Sequence, residues 1–317
     1  MKLVVMIPCY NEEKTISKVI KQIPKKIPGI NKIETLVVND GSLDKSASVA
    51  RKAGAKVVSH RKNKGLGIAF KTGIDGALKM NADIITNIDA DLQFNPKDIP
   101  LLVKPIVHAE ADMVTATRFK DSSFIPKNIP TAKLWGNKQF TKLVSLLTGK
   151  DFTDTQCGFR AYSREAAMRL NLFGKFTYTQ EVFLDLVNKG MSIKEIPVKV
   201  EYHRKPFRTS KISGDLFKYG MNALVIILRT FRDYRPLVFF GIPGIVITTP
   251  GLLLSIGSLI YWLILKHTSP VRMYLFTGIV LILFGFLLII LALIADMFKR
   301  LRQNQEEIIY RMKANGK

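Results

Sequence analysis

Two long stretches near the C-terminal end carry no charged side chain, Pro236 to Leu265 and Met273 to Ala295, and they restrict the architecture more than any other feature. Each exceeds the roughly 20 residues needed to cross a hydrocarbon core. Two transmembrane helices are therefore expected, joined by a loop holding Lys266, His267 and Arg272. Pro243 and Pro250 with nearby glycines predict that the first begins late or is bent. Arg229, Arg232 and Arg235 precede the pair and Lys299, Arg300 and Arg302 follow it, whereas the loop has only Lys266 and Arg272. This bias predicts a multi-pass protein of the cell membrane with both flanks on the cytoplasmic side. The region 236–298 reads as a transmembrane hairpin and 299–317 as a cytoplasmic basic tail. No secretory signal is expected before Met1, because Lys2 leads straight into the short apolar run LVVMIP.

The 317 residues include 48 Lys and Arg against 25 Asp and Glu, a formal net charge of +23. Such an excess acts through long-range attraction to polyanions or anionic surfaces and says nothing about fold. Given the two apolar runs, it points to a lipid bilayer rather than nucleic acid. Cys9 and Cys157 provide no disulfide framework and fit a reducing compartment.

The first 200 or so residues alternate Val/Ile-rich runs with helical patterns, which predicts an α/β domain of βαβ units around a mostly parallel sheet. Strands are expected at 3–8, 33–39, 55–59, 83–89, 112–117 and 193–200. The first helix is expected to open at Asn11 as N-cap, with Glu12 and Glu13 in its first turn. Others are expected near 44–53, 66–80, 97–109, 133–148, 164–170 and 179–190. After residue 199 a polar loop holds Lys199, Arg204, Lys205, Arg208 and Lys211. Residues 213–235 then show Met221, Leu224 and Phe231 at helical spacing, which predicts an amphipathic helix at the membrane interface. A core-packing helix of the soluble domain fits the same periodicity.

The stretch TNIDADLQFNP (86–96) places Asp89, Asp91 and Gln93 in alternation after the apolar Ile84, Ile85 and Ile88. On an extended backbone their oxygens project from one side. That side would lie at the C-terminal edge of a parallel sheet, where open α/β sheets bind ligands. Hard oxygen donors suit Mg²⁺ or Mn²⁺, which usually complete their shells with substrate phosphates. A solvated loop with capping aspartates is the alternative. Other strand ends, PCYNE (8–12), NDGSLDK (39–45) and KNKGLGIAFKTG (62–73), are expected at the same edge. They supply a ring in Tyr10, acceptors in Glu12, Asp40 and Asp44, and turns at Gly41 and Gly65. GLGIAFKTG has neither the dinucleotide-binding nor the Walker spacing.

Taken in order, PCYNE, NDGSLD, NKGLGIA, DADLQ, ATRF (116–119) and DTQCGFRAYSRE (154–165) resemble the family 2 glycosyltransferases of GT-A fold, and among them the polyprenyl-phosphate and dolichyl-phosphate sugar synthases. The resemblance covers essentially the whole chain. It implies a GT-A catalytic domain at 1–212, ahead of the interface helix and the hairpin. It also implies a nucleotide-sugar pocket lined by Pro8, Tyr10, Glu12, Asp40, Ser42, Lys64, Gly65, Asp89, Ala90 and Asp91, with Asp89, Asp91 and Gln93 holding a metal ion on the donor diphosphate. Arg118 is similar to the arginine that meets the acceptor phosphate, joined by Arg204, Arg208, Ser210 and Lys211 of RKPFRTSKI. Asp91, Arg118 and Asp154 are the catalytic candidates; Asp154 and Glu181 are conceivable bases, and an orienting role fits both equally.

The implied reaction moves one sugar from a UDP- or GDP-sugar to polyprenyl phosphate with inversion. A leaving nucleoside diphosphate calls for a divalent ion. A phosphate monoester whose second pKa lies near 6 arrives largely dianionic and needs little help from a base. Arginines that hold one anion against another are needed instead. The QxxRW sequence of processive members is absent, which argues against polymerisation, and DTQCGF leaves the sugar open. Transfer to another lipid or lipid-linked glycan, and a silent membrane scaffold, are the alternatives. A homo-oligomer through the spans is a further expectation. His60, His108, His203 and His267 share no metal-ligand spacing, and Cys157 reads as a small buried thiol.

Overall fold

The computed structural model describes residues 1–125, 129, 131–172, 178–200, 216–267, 269 and 271–315. In chain order the elements are β1 (Lys2–Cys9), α1 (Ile16–Gln22), β2 (Lys32–Asn39), α2 (Ser46–Lys52), β3 (Lys56–Ser59), α3 (Leu66–Lys79), β4 (Ile84–Asn87), α4 (Ile99–Val107), β5 (Met113–Thr117) and α5 (Thr131–Thr148). There follow β6 (Arg160–Ser163), α6 (Arg164–Arg169), α7 (Thr179–Asn188), β7 (Ile193–Pro197), α8 (Leu216–Tyr234), α9 (Ile242–Leu265) and α10 (Val271–Ala314). The chain forms two compact units, Met1–Ile227 with Tyr310–Lys317, and Leu228–Ile309.

The first unit is an α/β domain around a seven-stranded sheet of order β3-β2-β1-β4-β6-β5-β7. Every pairing is parallel except the two made by β6. Both faces are covered, which explains why the strands read as continuous apolar runs. Along β1, Leu3, Val5, Ile7 and Cys9 enter one buried cluster while Val4 and Met6 enter the other. Chain order reverses between β1 and β4, so a crevice is expected beyond their C-terminal ends. The β1–β4 ladder stops at Met6 opposite Asn87, after which Ile88 N–H donates to Met6 O at 3.1 Å. The next rung would require the backbone N–H that Pro8 lacks.

Two expectations need correction, and one strand was missed. Asn11 does not cap the first helix: it takes a left-handed φ of 54°, and α1 begins only at Ile16, without an acidic residue in its first turn. Its side chain is occupied elsewhere, accepting the Leu43 N–H at 2.8 Å. Nor do Asp89, Asp91 and Gln93 alternate along a strand, because β4 ends at Asn87 and Leu92 adopts φ 63°. Gln93 N–H donates to Asp91 Oδ1 at 3.1 Å and closes a turn in which the side chain caps its own backbone. Finally, β6 was not anticipated, being four residues long and buried too completely to show an alternating pattern.

Helix α8 has two apolar sides. Ile227 is buried, whereas Met221, Val225 and Leu228, at positions i, i+4 and i+7, are exposed. The buried Ile227 fits the core-packing reading of this helix.

In the second unit a π-helical turn, Leu237–Gly241, leads into α9, which carries Pro243 in its first turn and Pro250 inside it. Helices α9 and α10 are long and apolar enough to cross a membrane. Their buried positions recur every seventh residue: Gly244, Gly251 and Ser258 on one, and Val271, Gly278, Gly285 and Ala292 on the other. A seven-residue repeat keeps one seam facing its partner, and small residues let two backbones approach. A Cβ added to Gly251 would lie 2.8 Å from Gly278 O, and one on Gly244 would lie 2.9 Å from Gly285 O. Helix α10 continues to Ala314, where Tyr310 OH donates to Glu165 Oε2 at 2.8 Å and Lys313 Nζ to Met168 O at 3.1 Å, both within the first unit.

Gly278→Leu is expected to destabilise the hairpin by at least about 1–3 kcal/mol, the usual cost of overpacking. Gly257→Leu, whose added carbon meets nothing within 4 Å, should leave it unchanged. The SDS fraction at half-unfolding of the purified protein in micelles distinguishes the two outcomes.

Candidate active site

The residues expected to line a nucleotide pocket, apart from Asp89, Ala90 and Asp91, occur at or beside three loops that hydrogen-bond to one another. After β1, Asn11 N–H donates to Ser42 Oγ at 2.9 Å and Glu12 N–H to Ser46 Oγ at 2.7 Å. The β2–α2 loop responds with Lys45 N–H donating to Glu13 Oε2 at 3.0 Å. Thr15 Oγ1 donates to Glu12 Oε2 at 2.9 Å, while Asp44 Oδ1 accepts the Ser46 N–H at 3.0 Å. Asp40, buried at the end of β2, accepts the Lys64 N–H on Oδ1 and the Gly65 N–H on Oδ2, each at 2.9 Å. His60 adds Nδ1 to Asp40 Oδ1 at 2.7 Å and Nε2 to Thr72 Oγ1 at 3.0 Å. Gly41 (φ 70°) has to be glycine, since a Cβ there would lie 2.6 Å from Asn63 N. Pro8 is buried in β1, and Tyr10, Ser42 and Gly65 are partly exposed beside it in the sequence or across these bonds.

The acidic turn lies beyond β4. Asp89 is half-buried, Ala90 is buried, and Asp91 and Gln93 are half-buried. Burial, then repulsion from Asp91, pushes the Asp89 carboxyl from its ordinary 3.8 up to about 7, with Arg118 and Arg160 opposing the rise. Gly158 lies against Asp89, since a Cβ there would sit in van der Waals contact with Asp89 Oδ2 at 3.4 Å. Beneath it, Asn87 Nδ2 donates to Gly158 O at 2.7 Å and to Tyr178 OH at 2.8 Å. Two carboxylates pressed together, with an amide in the same turn, fit a hard divalent cation, which would relieve the repulsion.

Arg118 follows β5 and is buried. Its Nε and Nη2 donate to Asp154 Oδ2 and Oδ1 at 2.6 and 2.8 Å, and its own N–H donates to Oδ2 at 3.2 Å. Asp154 has no exposed surface. Its turn is fixed by Glu195 on β7, which accepts the Thr153 N–H at 3.0 Å and the Asp154 N–H at 3.1 Å. Cys157, where burial and then Asp154 push the thiol up to about 12, is inert. Glu181 is buried at the start of α7. A single antiparallel bridge joins Phe94, just past the acidic turn, to Val200. Arg204, Arg208, Ser210 and Lys211 lie outside the described residues.

Sequence reading missed His60, Asn87, Gly158, Arg160, Tyr178 and Glu195. Gly158 and Arg160 stand inside DTQCGFRAYSRE, and the signal was available there: a glycine and an arginine within a motif already singled out. The others carried none, because each acts through a neighbour distant in sequence.

The sequence profile of Glycosyl transferase family 2 matches residues 4–170. The chain is similar to the UDP-N-acetylglucosamine–dolichyl-phosphate N-acetylglucosaminyltransferase of Methanococcus voltae, at 32% identity over 62% of this chain and 84% of that protein. It is also similar to the dodecaprenyl-phosphate galacturonate synthase of Rhizobium johnstonii, at 26% identity over 95% of this chain and 88% of the other. Among solved structures, glucosyl-3-phosphoglycerate synthase from Mycobacterium tuberculosis, determined with Mn²⁺, UDP and phosphoglyceric acid, superposes with a TM-score of 0.56. That match covers 74% of this chain and 78% of that one at 22% identity, and shows the shared GT-A-like fold.

The raised Asp89 carboxyl has a definite sign. The proton it holds stabilises the metal-free fold fully below about pH 3.8, and this contribution disappears as the pH rises through about 7. Asp91→Asn removes the like charge and should lower the Asp89 midpoint, as followed by carboxyl NMR against pH. An unchanged midpoint would mean that Asp91 exerts no repulsion.

Proposed function

Because the chain belongs to Glycosyl transferase family 2, we propose that it moves a single sugar, with inversion, from a UDP- or GDP-sugar to polyprenyl phosphate at the cytoplasmic face of the cell membrane. The observation that carries this reading is the acidic turn after β4, beside the point where chain order reverses, with the charge of Arg118 acting on its Asp89. The names of the relatives support lipid-linked sugar transfer, and the Mn²⁺ held by the solved neighbour supports a divalent ion.

In this reading Asp89, Asp91 and Gln93 hold Mg²⁺ or Mn²⁺, which neutralises charge on the departing diphosphate. The laced loops carrying Pro8, Tyr10, Glu12, Asp40, Ser42, Lys64 and Gly65 form the base and ribose side of the pocket. Asp40 contributes by fixing the Lys64 and Gly65 N–H groups. Arg118 meets the acceptor phosphate. Asp154, tied to Arg118 by two side-chain bonds and sealed from solvent, orients that guanidinium and is poorly placed to act as a base. The acceptor is already an anion and attacks without one. Arg204, Arg208, Ser210 and Lys211 supply further donors to it, on a segment that starts four residues past the Phe94–Val200 bridge. The exposed Met221, Val225 and Leu228 rest in the headgroup layer, and the two spans anchor the whole.

Purified protein supplied with UDP- and GDP-sugars, a short polyprenyl phosphate and Mg²⁺ or Mn²⁺ should form a lipid-linked monosaccharide from at least one donor. Asp91→Ala should reduce turnover at least about 100-fold, the scale of one lost charge-stabilising group. Absence of product from every donor, or undiminished product from the variant, rejects the mechanism. Topology has a separate test, because Cys9 and Cys157 are both buried. A His267→Cys protein should be labelled by an impermeant maleimide on intact cells, and labelling only after lysis would reverse the orientation.

A further inference from the structure

Arg160 is an unusual residue for the centre of a sheet. It opens β6 opposite Asn87, at the sheet edge where the acidic turn begins, and has no accessible surface. Its Nη2 donates to Thr155 O at 3.0 Å, while Nε and Nη1 find no well-aligned acceptor, although the guanidinium acts on the nearby Tyr162 hydroxyl. No carboxylate lies within ion-pair distance among the described residues. The guanidinium instead sits 4.7 Å from the Phe183 ring centroid and 5.8 Å from that of Tyr178. A buried, unpaired charge is costly, and replacing such groups by apolar side chains is often neutral or stabilising. Packing alone therefore gives no reason for an arginine here.

Its position relative to the acidic turn does. Arg160 reaches the Tyr178 ring, Tyr178 OH and Gly158 O share the Asn87 amide, and Gly158 backs directly onto the Asp89 carboxylate. Asn87, the β4 partner of Arg160 across the sheet, stands two residues before Asp89. No group of three or more His, Cys, Asp or Glu side chains able to hold a metal occurs among the described residues. Thus the turn offers a cation two carboxylates, set against two fixed positive charges.

We propose that Arg160 is the resident counter-charge of the acidic turn, which keeps the bare Asp89–Asp91 pair too weak to retain a divalent ion, so that the ion is held only together with a nucleoside diphosphate. This rests on the reading of Asp89 and Asp91 as the cation site. The diphosphate brings negative charge and further oxygens, and these outweigh the repulsion from the arginines. Arg160 is a positioning residue in this scheme, acting on the ion through the field at Asp89.

The test is Mn²⁺ binding, read by the loss of the free-ion EPR signal, with the purified full-length protein, without nucleotide and with UDP or GDP. Wild-type protein should bind Mn²⁺ weakly alone and much more tightly with one of the diphosphates. Arg160→Met keeps an apolar stem against Phe183 and Tyr178; it should bind the bare ion about tenfold or more tightly than wild type, with a smaller gain from the diphosphate. Arg160→Lys should restore the wild-type pattern. A merely structural arginine predicts the opposite sign, with bare-ion binding unchanged or weakened in Arg160→Met, and that result overturns the proposal. Should Arg160→Met not fold, judged by its thermal midpoint, Arg160→Lys carries the test alone: bare-ion binding about tenfold tighter than wild type would overturn the idea. Asp91→Asn separates the underlying reading, since Mn²⁺ binding equal to wild type with and without diphosphate would place the cation elsewhere.

Discussion

Two half-buried carboxylates held side by side repel each other, and the edge of the α/β unit is organised around keeping Asp89 and Asp91 in that position. The register of β4 places Asn87 beneath the turn, and its amide links Gly158 and Tyr178 into a floor for Asp89. Around this floor stand two buried arginines, each supported differently. Arg118 is matched by Asp154, whose backbone is in turn fixed by Glu195 on the edge strand. Arg160 rests on a carbonyl and two aromatic rings. Despite this difference both positive charges reach the turn, Arg118 opposing the rise of the Asp89 carboxyl more than Arg160 does.

The opposite side of the crevice is built on another principle. There the loops after β1, β2 and β3 are held by side chains that accept backbone N–H groups, with Asp40, Asp44, Glu13 and Asn11 each bonded to a neighbouring loop or turn. Such bonds fix backbone conformation without concentrating charge. Pro8 separates the two sides, since by withholding an N–H it ends the β1–β4 ladder and lets the strands part. One side of the crevice is thus held by carboxylates spent on backbone N–H groups, and the other by carboxylates set against arginines.

How much of this was legible in the sequence depended on how far apart the cooperating residues stand. The strands that run through both cores announced themselves as apolar runs, because burial on two faces leaves no polar residue to interrupt them. The acidic turn was legible as composition but not as geometry: alternation suggested a strand, and nothing in DADLQ shows that Leu92 turns left-handed and that Asp91 caps Gln93. Asn11 was misread for a related reason. Its short polar side chain suits an N-cap and a left-handed turn alike, and the choice was made by Ser42 and Leu43, some thirty residues on. β6 was hidden because four buried residues contain no period, and Glu195 because a carboxylate on an edge strand looks solvated until the Thr153–Asp154 peptide is placed against it.

The hairpin shows the same dependence in another solvent. Lipid chains are as apolar as the side chains of α9 and α10, so burial gives these helices little reason to pair, and close backbone approach at Gly244, Gly251, Gly278 and Gly285 takes its place. A seam that repeats every seventh residue is, however, nearly indifferent to a slide of seven residues, about 10 Å along the axis. The connection 266–270 could stretch to cover it, at up to about 3.5 Å per residue. The polar end of the unit removes this degeneracy. Arg302 donates to Asp233 at 3.1 Å and to Glu306 at 2.8 Å, with Tyr234 under its guanidinium. A slide of one repeat would separate Arg302 from Asp233 and draw one of them toward the apolar stretch, where an unpaired charge is most costly. The glycines therefore provide the attraction and Arg302 selects the register, a division of labour in which the less stabilising contact carries the greater specificity.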